Sequence, residues 1–235
     1  MRLDRYVGKA AQITRSDAKR AIRKGLVSVE GLSEILPETD IDPAVIKATY
    51  NGKPLFWEEH VYLMLNKPSG CVSAMSDRKE KTVAEYIPEQ YVSRVNPVGR
   101  LDKDTEGLLL FTDDGELTHA LISPEYHVSK TYLCGLSKDI SEEDLEKLRK
   151  GVDIGDNETT RPADVKYSGG HDSIVLTIYE GRFHQVKRML YAVGNEVVTL
   201  RRLSEGGITL GDLPLGETRK LTEDEVGILR SAGRK

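Results

Sequence analysis

The chain has 235 residues, 38% hydrophobic and 31% charged, enough for an ordinary packed core in one large domain or two smaller ones. Its two cysteines, Cys71 and Cys134, stand far apart with no C-x-x-C pair, which argues against a disulfide framework or structural zinc and suits a reducing compartment. The net charge of −4 speaks against a nucleic-acid partner only as an average: residues 1–25 set Arg2, Arg5, Lys9, Arg15, Lys19, Arg20, Arg23 and Lys24 against Asp4 and Asp17, a local charge of +6.

In chain order, the charged opening Met1-Arg2-Leu3-Asp4-Arg5 predicts no secretory leader. Nor does any apolar run approach the ~20 residues that span a bilayer. The expectation is a cytoplasmic protein with no membrane partner. The first segment reads as two short helices and a hairpin. Thr14-Arg15-Ser16-Asp17 is a helix start, with Ala18, Ala21 and Ile22 as an apolar stripe and Gly25 as a left-handed stop. Leu26 to Val29 alternates as a strand, and Asn51-Gly52 signals a hairpin turn. A domain boundary falls near residue 60.

Beyond it, Val61 to Leu65 is a buried strand followed by the loop Asn66-Lys67-Pro68-Ser69-Gly70. Thr82 begins a helix. Leu108 to Thr112 is a strand, Glu116 to Ile122 a helix and Lys130 to Leu136 a strand. Ser141 caps a helix whose acidic first turn and basic last turn both suit its dipole. Ser173 to Tyr179 and Val197 to Arg201 are strands, separated by a helix over His184 to Val193, and Thr222 to Leu229 is a final capped helix. The mixed order predicts an α+β fold: a small N-terminal αα-hairpin module over 1–60 and a larger domain over 61–235 with a mixed, mainly antiparallel sheet.

The run Gly99-Arg100-Leu101-Asp102-Lys103-Asp104-Thr105-Glu106-Gly107-Leu108 places charged side chains in a loop just before an apolar strand, where a scaffold displays reactive groups. Charge alone reads as a solvated loop. Arg100-Leu101-Asp102 with the following Asp104-Thr105-Glu106-Gly107-Leu108-Leu109-Leu110, then Lys130-Thr131-Tyr132, then Glu180-Gly181-Arg182-Phe183-His184-Gln185-Val186-Lys187-Arg188-Met189 resemble, in order, three motifs of the RNA pseudouridine synthases. The resemblance spans the whole chain. Residues 1–60 look like the S4-like RNA-binding module and 61–235 like the catalytic domain of the branch that modifies ribosomal RNA. Length and an end soon after Leu221-Thr222-Glu223-Asp224-Glu225 are similar to the small-subunit type. One departure is Glu205, where such proteins usually carry isoleucine.

The resemblance implies an isomerase that detaches uracil from ribose C1′, turns it and rejoins it through C5, on 16S RNA and specifically at uridine 516. No atom is gained or lost, so no cofactor is expected. Asp102 is implied as the catalytic nucleophile, attacking the sugar or the base or abstracting a proton, with Lys187 as its buried ion-pair partner and Tyr132 as the active-site tyrosine. Arg100, Lys130, Arg182 and Arg188 are implied as substrate contacts and Leu200 as packing beneath an extruded base. Arg2, Arg5, Arg15, Lys19, Arg20, Arg23 and Lys24 would meet RNA phosphates. The partner implied is ribosomal RNA, naked or in a partly assembled small-subunit particle, and the protein a monomer.

Simpler readings stand beside these. Tyr132 alone is an ordinary half-buried sheet residue, and His184 a structural group at a helix start. Asp102 and Asp104 are not expected to converge as a glycosidase pair would. The five histidines show no metal-ligand spacing. The competing functions are a 23S RNA pseudouridine synthase and an inactive RNA-binding assembly factor.

Overall fold

The computed structural model describes residues 1–43, 45–156 and 158–234, and the chain divides into two compact units, Met1–Glu59 and His60–Lys235.

In the first unit, α1 (Leu3–Ala10) and α2 (Arg15–Arg23) lay their apolar stripes together. Leu3, Tyr6 and Val7 meet Ala18, Ala21 and Ile22 in one buried cluster. Thr14 caps α2, accepting from the Asp17 amide at 3.1 Å. Gly25, at φ +69°, turns the chain out of the helix where a Cβ would be strained. Three short antiparallel strands follow, β1 (Val27–Val29), β2 (Ala48–Tyr50) and β3 (Lys53–Leu55). Asn51 and Gly52 both take positive φ between β2 and β3, as a two-residue hairpin turn of matching twist requires. Asp4 is fully buried at the start of α1, with Arg2 and Arg15 each 3.1 Å away and Lys19 at 3.9 Å.

The second unit is built on a nine-stranded mixed sheet. Its strands are β4 (Tyr62–Lys67), β5 (Asn96–Pro97), β6 (Glu106–Thr112), β7 (Lys130–Leu136), β8 (Asp164–Ser168), β9 (Gly170–Ile178), β10 (Val197–Glu205), β11 (Ile208–Thr209) and β12 (Thr218–Lys220). The main path runs β12-β4-β6-β10-β7-β9-β8, and the pairing of β10 with β6 is parallel while its neighbours are antiparallel. The helices are α3 (Glu89–Val92), α4 (Gly115–Ile122), α5 (Glu142–Lys150), α6 (Gln185–Ala192) and α7 (Glu223–Ala232). Leu109 and Phe111 of β6 join the core beneath α5 and α6, whereas Leu108 and Leu110 join the one beneath α4 and α7. Covered on both faces, β6 reads as an unbroken apolar run. Thr82 starts only a 3-10 turn, Val83–Tyr86, and β10 runs four residues past the expected Arg201. No helix among the described residues is long and apolar enough to cross a membrane.

The seam between β6 and β10 depends on Gly107. At φ +103° it sits so close to its neighbour that an added Cβ would fall 2.2 Å from the Arg202 carbonyl oxygen and 2.8 Å from the Arg202 nitrogen. Backbone cannot yield as a side chain does. Gly107→Ala is therefore expected to destabilise the protein by about 3 kcal/mol or more, seen as a lower denaturant midpoint at unchanged slope.

Candidate active site

A cavity of about 130 Å³ opens where the loop before β6, the start of β7 and the segment leading into α6 converge. Asp102 enters from the first, Tyr132 from the second, His184 from the third, Lys187 from α6 itself, and Leu200 and Arg202 from β10.

The Asp102 loop is held from beneath by a residue that sequence reasoning passed over. Lys67, the last residue of β4, is fully buried. Its ammonium donates to the carbonyl oxygens of Thr105 at 2.8 Å, Asp102 at 3.1 Å, Pro68 at 3.1 Å and Lys103 at 3.3 Å. Burial pushes the Lys67 ammonium below the ordinary lysine range. Above it the loop turns back on itself, the Thr105 amide donating to the Asp102 carbonyl at 3.1 Å. Ser73 clamps the other side, donating to the Leu101 carbonyl at 2.8 Å and accepting from the Leu101 amide at 3.0 Å.

This tight turn brings Asp102 and Asp104 to one cation, although only Asp102 lines the cavity. Lys187 Nζ lies 3.2 Å from Asp102 Oδ2 and donates to both Asp104 oxygens, at 2.6 and 2.8 Å. The Asp102–Lys187 pair is half-buried rather than buried, its side chains 25% and 27% exposed. Partial burial works against the Lys187 charge, but hydrogen bonds to Asp104 and Asp102 outweigh it and hold the ammonium above the ordinary lysine range. The same hydrogen bond from Lys187 pulls the Asp104 carboxyl below its ordinary range, although partial burial pushes the other way.

His184 differs from its expected structural role. It occupies the cap position of α6 with a left-handed backbone, φ +49°, and makes no capping hydrogen bond. Its Nε2 instead lies 3.3 Å from Asp102 Oδ1, and its ring stacks on the exposed Phe183, centroids 3.8 Å apart. A left-handed backbone at a non-glycine residue is invisible in the sequence, so nothing there could have found it.

Tyr132 is buried, and burial raises its hydroxyl above the ordinary tyrosine range. Its ring and Leu200 form apolar wall. Arg100 lines the cavity, and so does Arg182, whose guanidinium is fixed by Glu180 at 3.2 Å and by the carbonyls of Glu158 and Thr159 at 2.9 and 3.1 Å. Lys130 lines the cavity, and its ammonium donates to the carbonyls of Val128 and Leu121 at 3.3 and 3.4 Å. Arg188 is not among the lining residues; it is bound to Asp156 and to the carbonyls of Ile154 and Phe183.

A carboxylate held by a lysine, facing a small cavity with one aromatic and several aliphatic walls, is an arrangement that suits nucleophilic or acid–base chemistry on a small planar group. Comparison with known proteins makes this specific. The sequence pattern described as RNA pseudouridylate synthase matches residues 61–192. An uncharacterized RNA pseudouridine synthase, YtzG, of Bacillus subtilis is 43% identical over 234 residues, spanning 97% of this chain and 98% of its own length. Ribosomal small subunit pseudouridine synthase A of Escherichia coli is 40% identical over 235 residues, spanning 96% and 98%. A crystal structure of a pseudouridylate synthase superimposes with a TM-score of 0.69 at 38% identity, covering 97% of this chain and 99% of that one. The protein belongs to the RNA pseudouridine synthase family and is an isomerase.

Proposed function

We propose that this protein converts one uridine of 16S ribosomal RNA, uridine 516, to pseudouridine, with Asp102 as the catalytic carboxylate. The observation that carries the reading is the Asp102 carboxylate, gripped on one oxygen by Lys187 and on the other by His184, at the mouth of a base-sized cavity. The target uridine leaves its stack to enter, at a cost of a few kcal/mol. Tyr132 meets the ring from one side, and Leu200 supports it from another. Lys187 aims Asp102 from 3.2 Å away, so the carboxylate is placed to attack the sugar or the base or to take the C5 proton. Support for the 16S substrate comes from the full-length similarity to the small-subunit enzyme of Escherichia coli.

The deciding experiment maps pseudouridines in ribosomal RNA from a strain lacking this protein. Loss of a single 16S pseudouridine is expected. Loss of a 23S pseudouridine instead would move the substrate, and an unchanged map would leave an RNA-binding assembly factor.

We also infer that residues 1–60 form an S4-like RNA-binding module, acting on naked RNA or a partly assembled particle as a cytoplasmic monomer. The cations divide into two kinds. Arg2, Arg15 and Lys19 are gathered around the buried Asp4, so charge reversal there would damage the fold itself. Arg20 pairs with Asp17. Among the described residues, Arg5, Arg23 and Lys24 are exposed and have no carboxylate partner, which leaves them for phosphates. Arg23→Ala with Lys24→Ala is expected to weaken RNA binding and to reduce its salt slope by roughly 0.7 to 0.9 for each phosphate that is no longer neutralised. Filter-binding titrations over a range of salt check this; an unchanged slope would remove both residues from the interface.

A further inference from the structure

Glu205 is a carboxylate with 1% exposure, and neither of its oxygens makes a hydrogen bond among the described residues. Buried glutamates are rare unless paired. Its neighbours are two cations: Arg202 Nη2 at 3.1 Å from Oε2, off hydrogen-bond geometry, and Lys130 Nζ at 3.8 Å from Oε1. Lys130 and Arg202 both line the catalytic cavity, whereas Glu205 does not.

The backbone places it there by an irregularity. Arg202 stands opposite Tyr132 across the β10–β7 pair, and Glu205 stands opposite Lys130, with a register shift between Arg202 and Ser204. In a regular strand, residues three apart face opposite sides of the sheet. Leu203 is the extra residue of a β-bulge, and it returns Glu205 to the face of Arg202. Tyr132 and Lys130, two apart on β7, already share that face. The bulge thus brings one anion and two cations into a layer beside Tyr132.

We propose that Glu205 is a positioning residue of the active site, which holds Lys130 and Arg202 in place around Tyr132 as the carboxylate that, among the described residues, faces both cations. The proposal rests on the assignment of the cavity as the pseudouridine synthase site. Without Glu205 the layer would hold two uncompensated cations. The guanidinium cannot give up its proton, so the ammonium must. Other ionisable groups facing the cluster do not replace the charge: Tyr132 and Cys134 on β7 are both pushed upward by burial and stay neutral, and β9 sets Ile178 opposite Lys130. Asp102 and Lys187 line the same cavity but are committed to each other. Burial already draws the Lys130 ammonium below the ordinary lysine range, and Glu205 is the group that opposes this. A neutral Lys130 would hold the Val128 and Leu121 carbonyls more weakly, leaving this cavity-lining side chain freer to move.

The test titrates Lys130 directly, by NMR of carbon-labelled lysine, with the resonance identified by its absence in Lys130→Met. Glu205→Gln is expected to lower the Lys130 midpoint by about one pH unit or more. In single-turnover tritium release from C5-labelled uridine in ribosomal RNA, the same variant should lose roughly 10- to 100-fold in rate at unchanged KM. The loss should deepen as pH rises past the lowered midpoint, and Glu205→Asp should recover part of it. A Lys130 midpoint and a pH–rate profile both matching wild type would overturn the proposal. Should Glu205→Gln fold poorly, its melting temperature decides. A Lys130 depressed in the folded state makes the unfolded chain the better proton binder, so stability must climb with pH up to the ordinary lysine range more steeply than in wild type. A parallel pH dependence would sink the idea. Wild-type protein inactive on every ribosomal RNA would end the functional reading while leaving the titration as evidence about the pair.

Discussion

Asp102→Asn is expected to abolish tritium release from C5-labelled uridine, with a loss of roughly 10⁴-fold or more, while RNA binding stays within about twofold of wild type. The size follows from geometry. The amide is isosteric, so the loop keeps its shape over Lys67, and Lys187 keeps its shorter bonds to Asp104. What is replaced is the carboxylate that, among the described residues, both Lys187 and His184 reach. Asp104→Asn is the natural control. That side chain is 70% exposed and does not line the cavity, so its removal should cost far less. Release surviving in Asp102→Asn, measured by quench-flow at saturating enzyme, would take the chemistry away from this residue.

Lys67→Met is expected to destabilise the protein by about 2–4 kcal/mol and to lower the rate at saturating substrate by about a hundredfold. Two effects oppose each other. Deleting the ammonium relieves the cost of burying a charge, which already drags its pKa down. But methionine leaves the carbonyls of Pro68, Asp102, Lys103 and Thr105 facing a thioether. A buried carbonyl without a donor costs about 1–3 kcal/mol, and several such losses exceed the relief. The rate falls beyond what stability explains, because these carbonyls belong to the loop that aims Asp102. Chemical denaturation and single-turnover kinetics on the same preparation separate the two. A variant as stable and as fast as wild type would show that the loop holds its own shape.

Most of the scaffold was legible in the sequence because local signals agreed with tertiary demand. Thr222 with Glu225 gave the capping box that starts α7, and the strand over Lys130 to Leu136 has the bounds its alternation suggested. Legibility failed where tertiary structure overrode the local pattern. Val83–Tyr86 has a helix-like start but stops after one 3-10 turn before Pro88. The end of β10 was hidden because the bulge at Leu203 breaks the alternation that marks a strand. Lys67 was passed over because a lysine reads as surface, and only four converging carbonyls make its burial tolerable. Glu205 was visible as an oddity, but its cations lie 75 and three residues away along the chain, and only the sheet register joins them. The motifs pointed to Asp102, Tyr132 and Lys187, yet not to Asp104 and His184 as the other groups on the same charge.

The parallel join of β6 to β10 has a consequence for biosynthesis. Arg202 Nε donates to the Leu108 carbonyl at 2.7 Å across 94 residues, and the Leu200 wall of the cavity arrives on the same late strand. A growing polypeptide therefore carries Asp102 for nearly half its synthesis before the Leu200 and Arg202 side of the cavity exists. At translation speeds of about 5–20 residues per second, the interval is several seconds. The cavity is complete only once β10 has been made, so a fragment that ends before Val197 lacks its Leu200 and Arg202 wall.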